Sequence, residues 1–475
     1  MTVTALVLGP IVAGLLLSAV PRRNGAAAAL VAALVAGLAF VLAAANPHAA
    51  DASARWLSRP FVASFHLGFG GLSYWIVLLL ALATFGGALT LSGPRARDVA
   101  AQLLILQGAM NGVFLAKDLL LFALFWDLML IPVFLVLVQT GPTAHAAWRY
   151  LIYNLCGGLA LLLATAAFGV VAGTTDVIGN PAAHVVIGTA WGFWIFAGFA
   201  FAFLIKTPVF PFHTWMPDTY AALPAPMVGV VSSVQSKAGL YGFLVIALPF
   251  LSAEAGAARD VMMVLGAIAL VYGALVALAE RDAKRIVAYS SLSHLGLILI
   301  ALFSGSTLAI EGAAVYIVAH GLFSAVLFLV LGGVEAREET RDLGRLGGLG
   351  ARNPKLAGAL VLGALAALGL PGLAGFSGEI LILTGLYAAG FVWPAIVALV
   401  AIVLASAYML RLFQGIMNGA HVPDLPERRD MTLAEALAIA PLVAGFVLLG
   451  LNPGLVASMI PPPVAAVAVE TTHAP

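Results

Sequence analysis

Four ionisable side chains of both signs interrupt long apolar segments of this sequence. Lys206 ends the run GFWIFAGFAFAFLIK, and Lys237 lies within PMVGVVSSVQSKAGLYGFLVIALPF. Asp127 lies within LLLFALFWDLMLIPVFLVL, and Glu379 lies within LPGLAGFSGEILILTGLY. A charge near the centre of a bilayer costs about 2.5–3.5 kcal/mol on insertion scales, so such residues are usually functional. Amines and carboxylates in these positions indicate a path for protons or other cations.

Structural explanations compete with this hypothesis at each position. Lys206 stands just before several prolines, so its amine could reach the membrane surface from a helix end. Lys237 cannot easily do so, because apolar residues flank it on both sides. Asp127 could form a purely structural ion pair. The functional alternative pairs it with Lys206, and such a pair would titrate as a unit.

Glycines stand at every third position before Glu379, from Gly369 to Gly378. This pattern lacks the strand–turn–helix context of a dinucleotide fingerprint and the Gly-Lys-Ser/Thr ending of a P-loop. We expect instead a flexible break in a membrane helix that places Glu379 in a polar cavity.

Two histidines lie within apolar helices, His294 in AYSSLSHLGLILI and His320 in YIVAHGLFSAVLF. Histidine titrates near physiological pH and suits a proton relay. The alternative is a buried neutral histidine that bonds a hydroxyl such as Ser290 or Ser324. His213, in FPFHTWMPD, is expected to be structural or at a cavity edge. The polar run SSVQS before Lys237 could hold water or bond neighbouring helices.

The composition is that of a polytopic membrane protein. Of the 475 residues, 63% are hydrophobic and 9% charged, and the mean hydropathy is +1.08. The net charge of +1 gives no indication of a nucleic-acid partner. The single cysteine, Cys156, can form neither an internal disulfide nor a thiolate metal cage, so no iron–sulfur cluster is expected in this chain. We expect Cys156 to be a small buried residue.

Fourteen apolar segments approach the length of about 20 residues that a membrane span requires. They cover residues 3–20, 26–45, 72–91, 99–116, 118–139, 149–173, 186–207, 224–250, 259–279, 286–304, 309–333, 356–390, 393–415 and 433–452.

The seventh and twelfth segments are predicted to be broken helices, because prolines or glycines interrupt them. If the N-terminus lies on the outer side of the membrane, 15 Lys and Arg residues fall in loops on the inner side and 4 in loops on the outer side. This bias favours fourteen spans with both termini outside. The end of the chain, PPPVAAVAVETTHAP, is predicted to be a loosely ordered tail.

The motifs that carry these residues resemble the antiporter-like subunits of respiratory complex I, a family shared with Mrp-type antiporters and membrane-bound hydrogenases. The resemblance runs in the family's order from about residue 118 to 390, and the M-type members are the nearest. The motifs are DLLLFALFWDLMLIPVFLVL, KTPVFPFHTWMPDTYAALPAP, SKAGLYG, ERDAKRIVAYSSLSHLGLILI, HGLFSAVLFLVLGG, TRDLGRLGGL and GLPGLAGFSGEILILTGLY.

The resemblance implies an all-α polytopic fold of about 14 transmembrane helices, with two inverted five-helix repeats and broken helices 7 and 12. Residues 1–98 would hold helices 1–3, residues 99–250 the first repeat, residues 259–415 the second, and residues 433–475 the last helix and tail.

The resemblance also implies roles in proton translocation. Asp127 takes the place of the acidic residue on helix 5, which is usually glutamate. Because aspartate has one methylene less, its carboxylate would lie farther from Lys206. Lys206 and Lys237 take the lysine positions on helices 7 and 8, and Glu379 takes the terminal position on helix 12. His294 and His320 take the relay positions.

By this resemblance the chain would translocate protons in an NADH:quinone oxidoreductase of the bacterial inner (plasma) membrane, with both termini on the periplasmic side. No cofactor is expected in this chain, and flavin, iron–sulfur clusters and quinone are expected in partner subunits. Those partners would be L-, N-, K-, J-, A- and H-type membrane subunits and a peripheral redox arm, within a lipid bilayer and without nucleic acid.

Three other functions remain compatible with the same residues. One is an Mrp-type Na⁺(K⁺)/H⁺ antiporter subunit. A second is a membrane subunit of a hydrogenase-like or ferredoxin-driven complex. A third is a structural spacer that has lost pumping, against which the retained lysines and Glu379 argue.

Overall fold

The computed structural model describes residues 1–140, 144–179, 189–419 and 429–459 of the chain. Its regular structure is almost entirely helical, as expected where lipid offers no hydrogen bonds to the backbone. The predicted tail from residue 461 to 475 lies outside the described residues.

The helices vary from one turn to 32 residues in length. In chain order they are α1 (Thr2–Ala19), α2 (Gly25–Ala45), α3 (Gly71–Leu89), α4 (Ala96–Leu115), α5 (Leu119–Leu128), α6 (Leu130–Thr140), α7 (Ala144–Ala172), α8 (Thr189–Lys206), α9 (Trp215–Ala222), α10 (Ala225–Ser233), α11 (Ala238–Gly242), α12 (Leu248–Phe250), α13 (Ser252–Ala257), α14 (Arg259–Ala279), α15 (Ala283–Phe303), α16 (Thr307–Glu338), α17 (Leu349–Arg352), α18 (Pro354–Ala367), α19 (Ala374–Ala388), α20 (Val392–Met417), α21 (Leu433–Leu451) and α22 (Gly454–Ala457). Short 3₁₀ turns cover Arg22–Asn24 and Gln235–Lys237, and a π-helical stretch covers Phe243–Ala247.

Twelve helical segments within the described ranges are long and apolar enough to cross a membrane. Helices α8, α18 and α19 are apolar but shorter. The predicted all-α polytopic fold is therefore confirmed, whereas the count of fourteen spans and the two inverted repeats stay predictions.

Helices α15 and α16 lie at the centre of the molecule. The most apolar 18-residue stretch of each helix is entirely buried. Only about a third of the corresponding stretch is buried in α1 and in α20. Burial along the whole stretch means that each of these helices is surrounded by other helices and does not face lipid. The two central helices carry His294 and His320, so both histidines are placed in the interior.

The two predicted breaks are present. Helix α8 ends at Lys206, and an irregular segment containing Pro208 and Pro211 precedes α9. Helix α18 ends at Ala367, and α19 begins at Ala374 after a turn in which Gly369 and Gly372 have φ angles of +78° and +93°. Only glycine adopts such angles readily, which explains their place in this turn.

Two further breaks were not predicted from the sequence. The segment predicted as one span over 118–139 divides into α5 and α6 at Met129, two residues after Asp127. The segment predicted over 224–250 ends its first helix at Ser233 and continues as a 3₁₀ turn through Lys237. Both breaks lie beside an ionisable residue, and irregular backbone at membrane depth is tolerated inside a protein.

The long connection between α2 and α3 contains a β-hairpin. Strand β1 (Ala52–Leu57) pairs antiparallel with β2 (Ala63–Leu67). His66 on β2 contacts Asp176 through Nδ1 at 2.7 Å, which attaches the hairpin to the connection after α7.

The prediction that Cys156 is buried was wrong, because its side chain is exposed on the outer face of α7. Leu155 and Leu159 on the same helix are also exposed, at 42% and 56%. The sequence gives no strong amphipathic pattern on this helix, so the outward face could not be identified from it.

Asp218 on α9 joins both halves of the chain at one end of the bundle. It accepts hydrogen bonds from Arg149 Nη1 at the start of α7, at 2.5 Å, and from Arg285 Nη1 at the start of α15, at 2.8 Å. Arg285 also donates from Nε to Glu280 at 3.0 Å. The cluster holds the segment after the first break against a central helix.

Candidate functional site

Asp127 lies near the end of α5, where the helix stops at Leu128. Its carboxylate is half-buried and packs directly against Gly158 on α7. A methyl group at position 158 would collide with Asp127 Oδ1, so the glycine makes room for the carboxylate. Oδ1 is buried and accepts no hydrogen bond from the protein.

Lys206 is the last residue of α8 and is 1% exposed. Its ammonium lies 5.0 Å from the centroid of the Trp126 ring and has no hydrogen-bond partner in the protein. No ion pair within 4.0 Å joins it to Asp127, although the two are near enough for their charges to interact. The predicted pair is therefore an electrostatic one, and the contact made by the lysine is with an aromatic face.

Lys237 closes the 3₁₀ turn after α10 and is also 1% exposed. Its ammonium donates to the Ser232 carbonyl, and it donates to Ser236 Oγ at 3.3 Å. Gln235 turns away and donates to Tyr150 Oη at 2.8 Å. The polar run before the lysine thus solvates its charge, as a broken helix with a free carbonyl can do.

His294 on α15 and His320 on α16 are neighbours in the core, with ring centroids 5.4 Å apart. Neither nitrogen of His320 has a hydrogen-bond partner in the protein, and His294 Nε2 lies 3.4 Å from Tyr408 Oη. Lys237 lies near enough to interact electrostatically with both rings.

The serines that could have bonded these histidines have other partners. Ser290 Oγ accepts from Tyr408 Oη at 3.2 Å, and Ser324 Oγ lies 2.6 Å from Ser232 Oγ. Neither serine bonds a histidine. His294 instead has the Tyr408 hydroxyl at 3.4 Å, whereas His320 lacks, among the described residues, the hydroxyl contact that a purely structural role would require.

Glu379 lies in the second turn of α19, immediately after the glycine-rich break, and is 4% exposed. Its Oε1 accepts a hydrogen bond of 2.6 Å from Tyr316 Oη, and its Oε2 packs against the backbone of Gly369. The Tyr316 ring lies 5.7 Å from the ring of His294, centroid to centroid. The tyrosine therefore stands between the histidine pair and the terminal carboxylate.

Sequence reasoning missed Tyr316, Tyr408 and Trp126. A signal for the first was available, because Tyr316 precedes His320 by four residues and residues four apart share one face of a helix. Tyr408 and Trp126 carry no comparable signal, since their roles depend on which helices pack together.

His213 packs between aromatic rings, 5.7 Å from Phe210 and 5.1 Å from Tyr272 between centroids. It is 4% exposed and does not contact the buried lysines, in line with the structural role expected. Within the described ranges, no group of three or more His, Cys, Asp or Glu residues is arranged to hold a metal ion.

The arrangement is a row of titratable groups through the middle of the bundle. It begins at Asp127 and Lys206, continues through Lys237 to the histidine pair, and ends at Tyr316 and Glu379. The lysines, histidines and Glu379 are between 0% and 4% exposed. Buried groups that gain and lose protons in sequence can carry protons across a region from which water is largely excluded.

The family described as NADH:quinone oxidoreductase/Mrp antiporter, TM, matches residues 116–405, which contain the whole row. The chain belongs to this family. The resemblance seen in the sequence motifs is thereby confirmed, and so is its M-type character, because several relatives named subunit M match, one of them over 98% of this chain.

The NADH-quinone oxidoreductase subunit M of Rhodobacter capsulatus is 34% identical over 98% of this chain and 96% of its own length. The F(420)H(2) dehydrogenase subunit M of Methanosarcina mazei is 35% identical over 75% of this chain and 74% of its own.

Solved structures of the family share the fold. A chain of respiratory complex I from Thermus thermophilus, with bound NADH, superposes with a TM-score of 0.87 at 31% identity, covering 96% of this chain and 98% of the other. A chain of the Mrp complex from Dietzia sp. DQ12-45-1b gives 0.85 at 22% identity, covering 99% and 97%. The second likeness establishes the fold alone.

Proposed function

We propose that this chain is a proton-translocating membrane subunit of an NADH:quinone oxidoreductase, in which quinone reduction elsewhere in the complex drives protons across the membrane. The observation that carries the proposal is the series of titratable groups from Asp127 to Glu379, in which both lysines, both histidines and Glu379 are buried. The full-length likeness to an M-type subunit of Rhodobacter capsulatus supports the complex in which the row works.

Each group has a distinct part in this proposal. Lys206 and Lys237 are the interior amines that hold and release protons, and Asp127 biases the protonation of Lys206 by its charge. His294 and His320 pass a proton between Lys237 and the second half of the chain. Glu379 is the last carrier, and Tyr316 is its hydrogen-bonded neighbour. Where two groups are farther apart than a hydrogen bond, the proton crosses through water.

The redox chemistry belongs to partner subunits in this proposal. Flavin, iron–sulfur clusters and quinone would be bound by them, and the chain would lie beside L-, N-, K-, J-, A- and H-type membrane subunits. The chain would span the bacterial inner membrane with both termini on the periplasmic side, as the distribution of Lys and Arg favours.

An Mrp-type Na⁺(K⁺)/H⁺ antiporter subunit is the second candidate. The family description includes Mrp antiporters, and the same buried groups could serve ion exchange without redox chemistry. The greater identity to M-type oxidoreductase subunits, at 34% against 22%, favours the first candidate.

Affinity purification of the tagged chain in mild detergent, followed by mass spectrometry, separates the two. The oxidoreductase proposal predicts flavin and iron–sulfur subunits together with other antiporter-like subunits. Recovery of small membrane subunits alone, with cation exchange that needs no electron donor, would establish the antiporter instead.

A further inference from the structure

An arginine-lined cleft lies at one end of the bundle, away from the row of buried titratable groups. It has a volume of about 380 Å³ and is lined by Arg22, Pro94, Arg95, Asp98 and Gln139. We call it the arginine cleft. The proposed proton path uses none of these residues.

Positive charge exceeds negative charge in the arginine cleft. Asp98 is buried and accepts from Arg22 Nε at 3.0 Å and from Arg97 Nη1 at 2.9 Å, so one carboxylate serves two guanidinium groups. Arg95 is exposed and its side chain has no hydrogen bond or ion pair within the described residues, and Arg23 beside Arg22 is likewise exposed. Arg22 shares its carboxylate partner with Arg97, and Arg95 has no ion pair within the described residues, so the cleft carries an excess of positive charge that can bind an anion.

The helix geometry adds to this positive potential. Helices α2 and α4 begin side by side, because Gly25 lies against Ala96. Arg95 is the N-cap of α4 and supplies no side-chain acceptor to the first turn. A helix N-terminus carries partial positive charge, which at the start of α4 is partly offset by Asp98 in the first turn.

The helices that adjoin the cleft carry exposed apolar side chains. Leu16 near the end of α1 is 67% exposed, Leu30 near the start of α2 is 57% exposed, and Val138 beside Gln139 is 56% exposed. Arg22 follows the end of α1 and Arg95 precedes α4, and both helices are long and apolar enough to cross a membrane, so lipid headgroups are expected at the level of the cleft.

We propose that the arginine cleft binds the headgroup of an anionic phospholipid, with its phosphate on Arg22 and Arg95 and its acyl chains along the exposed faces of α1 and α2. Guanidinium groups pair with phosphate oxygens through two parallel hydrogen bonds. Basic pockets at the ends of membrane helices select anionic over zwitterionic lipids, because a choline group would add positive charge to a site that already has a surplus.

The test is photocrosslinking of the full chain, within its purified assembly, in vesicles that contain photoactivatable phosphatidylglycerol or photoactivatable phosphatidylcholine. Mass spectrometry locates the labelled peptides. We expect phosphatidylglycerol to label the segments around Arg22 and Arg95, and phosphatidylcholine to label them much less. The double variant Arg22→Gln/Arg95→Gln should lose this label by about ten-fold or more.

Three controls make the result decisive. Arg55→Gln/Arg59→Gln removes two exposed arginines of the β-hairpin region and should leave the label unchanged. Arg22→Lys/Arg95→Lys keeps the charge but not the paired hydrogen bonds, so its label should fall between those of the unmodified protein and the glutamine variant. Arg97 still neutralises Asp98 in the glutamine variant, so no buried carboxylate is left alone. If assembly is nevertheless impaired, Arg95→Gln alone serves, because that side chain makes no contact.

Equal labelling by the two lipids, or unchanged labelling of the glutamine variant, would overturn the proposal. Displacement of the label by inorganic phosphate would assign the site to a soluble anion and would also overturn it. None of these results depends on proton translocation, so the lipid site and the proposed function can fail separately.

Discussion

Tyr316 Oη donates a hydrogen bond of 2.6 Å to Glu379 Oε1, and the same tyrosine ring lies 5.7 Å from His294. One side chain thus connects the terminal carboxylate to the histidine pair. The connection joins α16 to α19 directly beside the glycine-rich break, so a movement of that break would change the hydrogen bond to Glu379.

Tyr316→Phe should slow proton transfer at Glu379. The variant removes only the hydroxyl, so packing is kept while the carboxylate loses its donor. A hydrogen bond to a charged group contributes about 1.5–3 kcal/mol, which corresponds to about a ten-fold change in rate or more. Proton uptake by reconstituted vesicles, compared with the rate of quinone reduction, measures the effect.

Tyr387→Phe is the matched control, because Tyr387 is on the same helix as Glu379 but is 69% exposed. It should pump as the unmodified protein does. If Tyr316→Phe also pumped normally, the tyrosine would be a packing residue only.

Gly158→Ala should displace the Asp127 carboxylate. The added methyl group would overlap Asp127 Oδ1, whereas a methyl group at the adjacent Gly157 would meet Ile205 at an ordinary 3.5 Å. Overpacking of this kind costs about 1–3 kcal/mol. We therefore expect Gly158→Ala to reduce the assembled protein and its pumping, and Gly157→Ala to be tolerated.

The double variant Gly158→Ala/Asp127→Ala identifies the cause. It removes the colliding carboxylate and should recover assembly, as measured by the yield of intact complex, but not pumping. Equal effects of Gly157→Ala and Gly158→Ala would contradict the specific contact between the glycine and Asp127.

Asp118 outside the membrane spans should make stability depend on pH. It caps α5 and accepts from Ser64 N at 2.9 Å and from Thr175 Oγ1 at 2.8 Å. Burial raises the pKa of Asp118 above its usual 3.8, and these hydrogen bonds oppose the rise without cancelling it. The folded protein therefore takes up a proton before the unfolded chain does.

Because the folded protein binds this proton first, the free energy of unfolding increases as the pH falls through the range just above the usual pKa of aspartate. Asp118→Asn cannot titrate, so the stability advantage of the unmodified protein over this variant should widen between neutral pH and about pH 4. Thermal unfolding in detergent at several pH values measures it. A constant or shrinking difference would show that Asp118 does not carry this pH dependence.

The sequence was sufficient for the buried charges and for two of the chain breaks. Lys237 lies within a long apolar segment, and the prolines after Lys206 and the glycines before Glu379 favour breaks in the helices. These signals are local, and the structure places the corresponding breaks where they were expected.

Contacts between distant segments could not be predicted in the same way. The packing of Gly158 on Asp127, of Trp126 on Lys206 and of Tyr408 on His294 depends on which helices become neighbours. The membrane-facing surface could not be predicted either, because lipid-exposed and buried positions are equally apolar. For that reason Cys156 was wrongly predicted to be buried.

The central claim is that the buried row carries protons, and the most direct test is the number of protons pumped per electron in the reconstituted complex. Lys206→Ala and Glu379→Ala should each assemble, reduce quinone and pump fewer protons per electron than the unmodified complex. Lys355→Ala, an exposed lysine outside the row, should leave the ratio unchanged. An unmodified ratio in assembled Lys206→Ala and Glu379→Ala complexes would contradict the account.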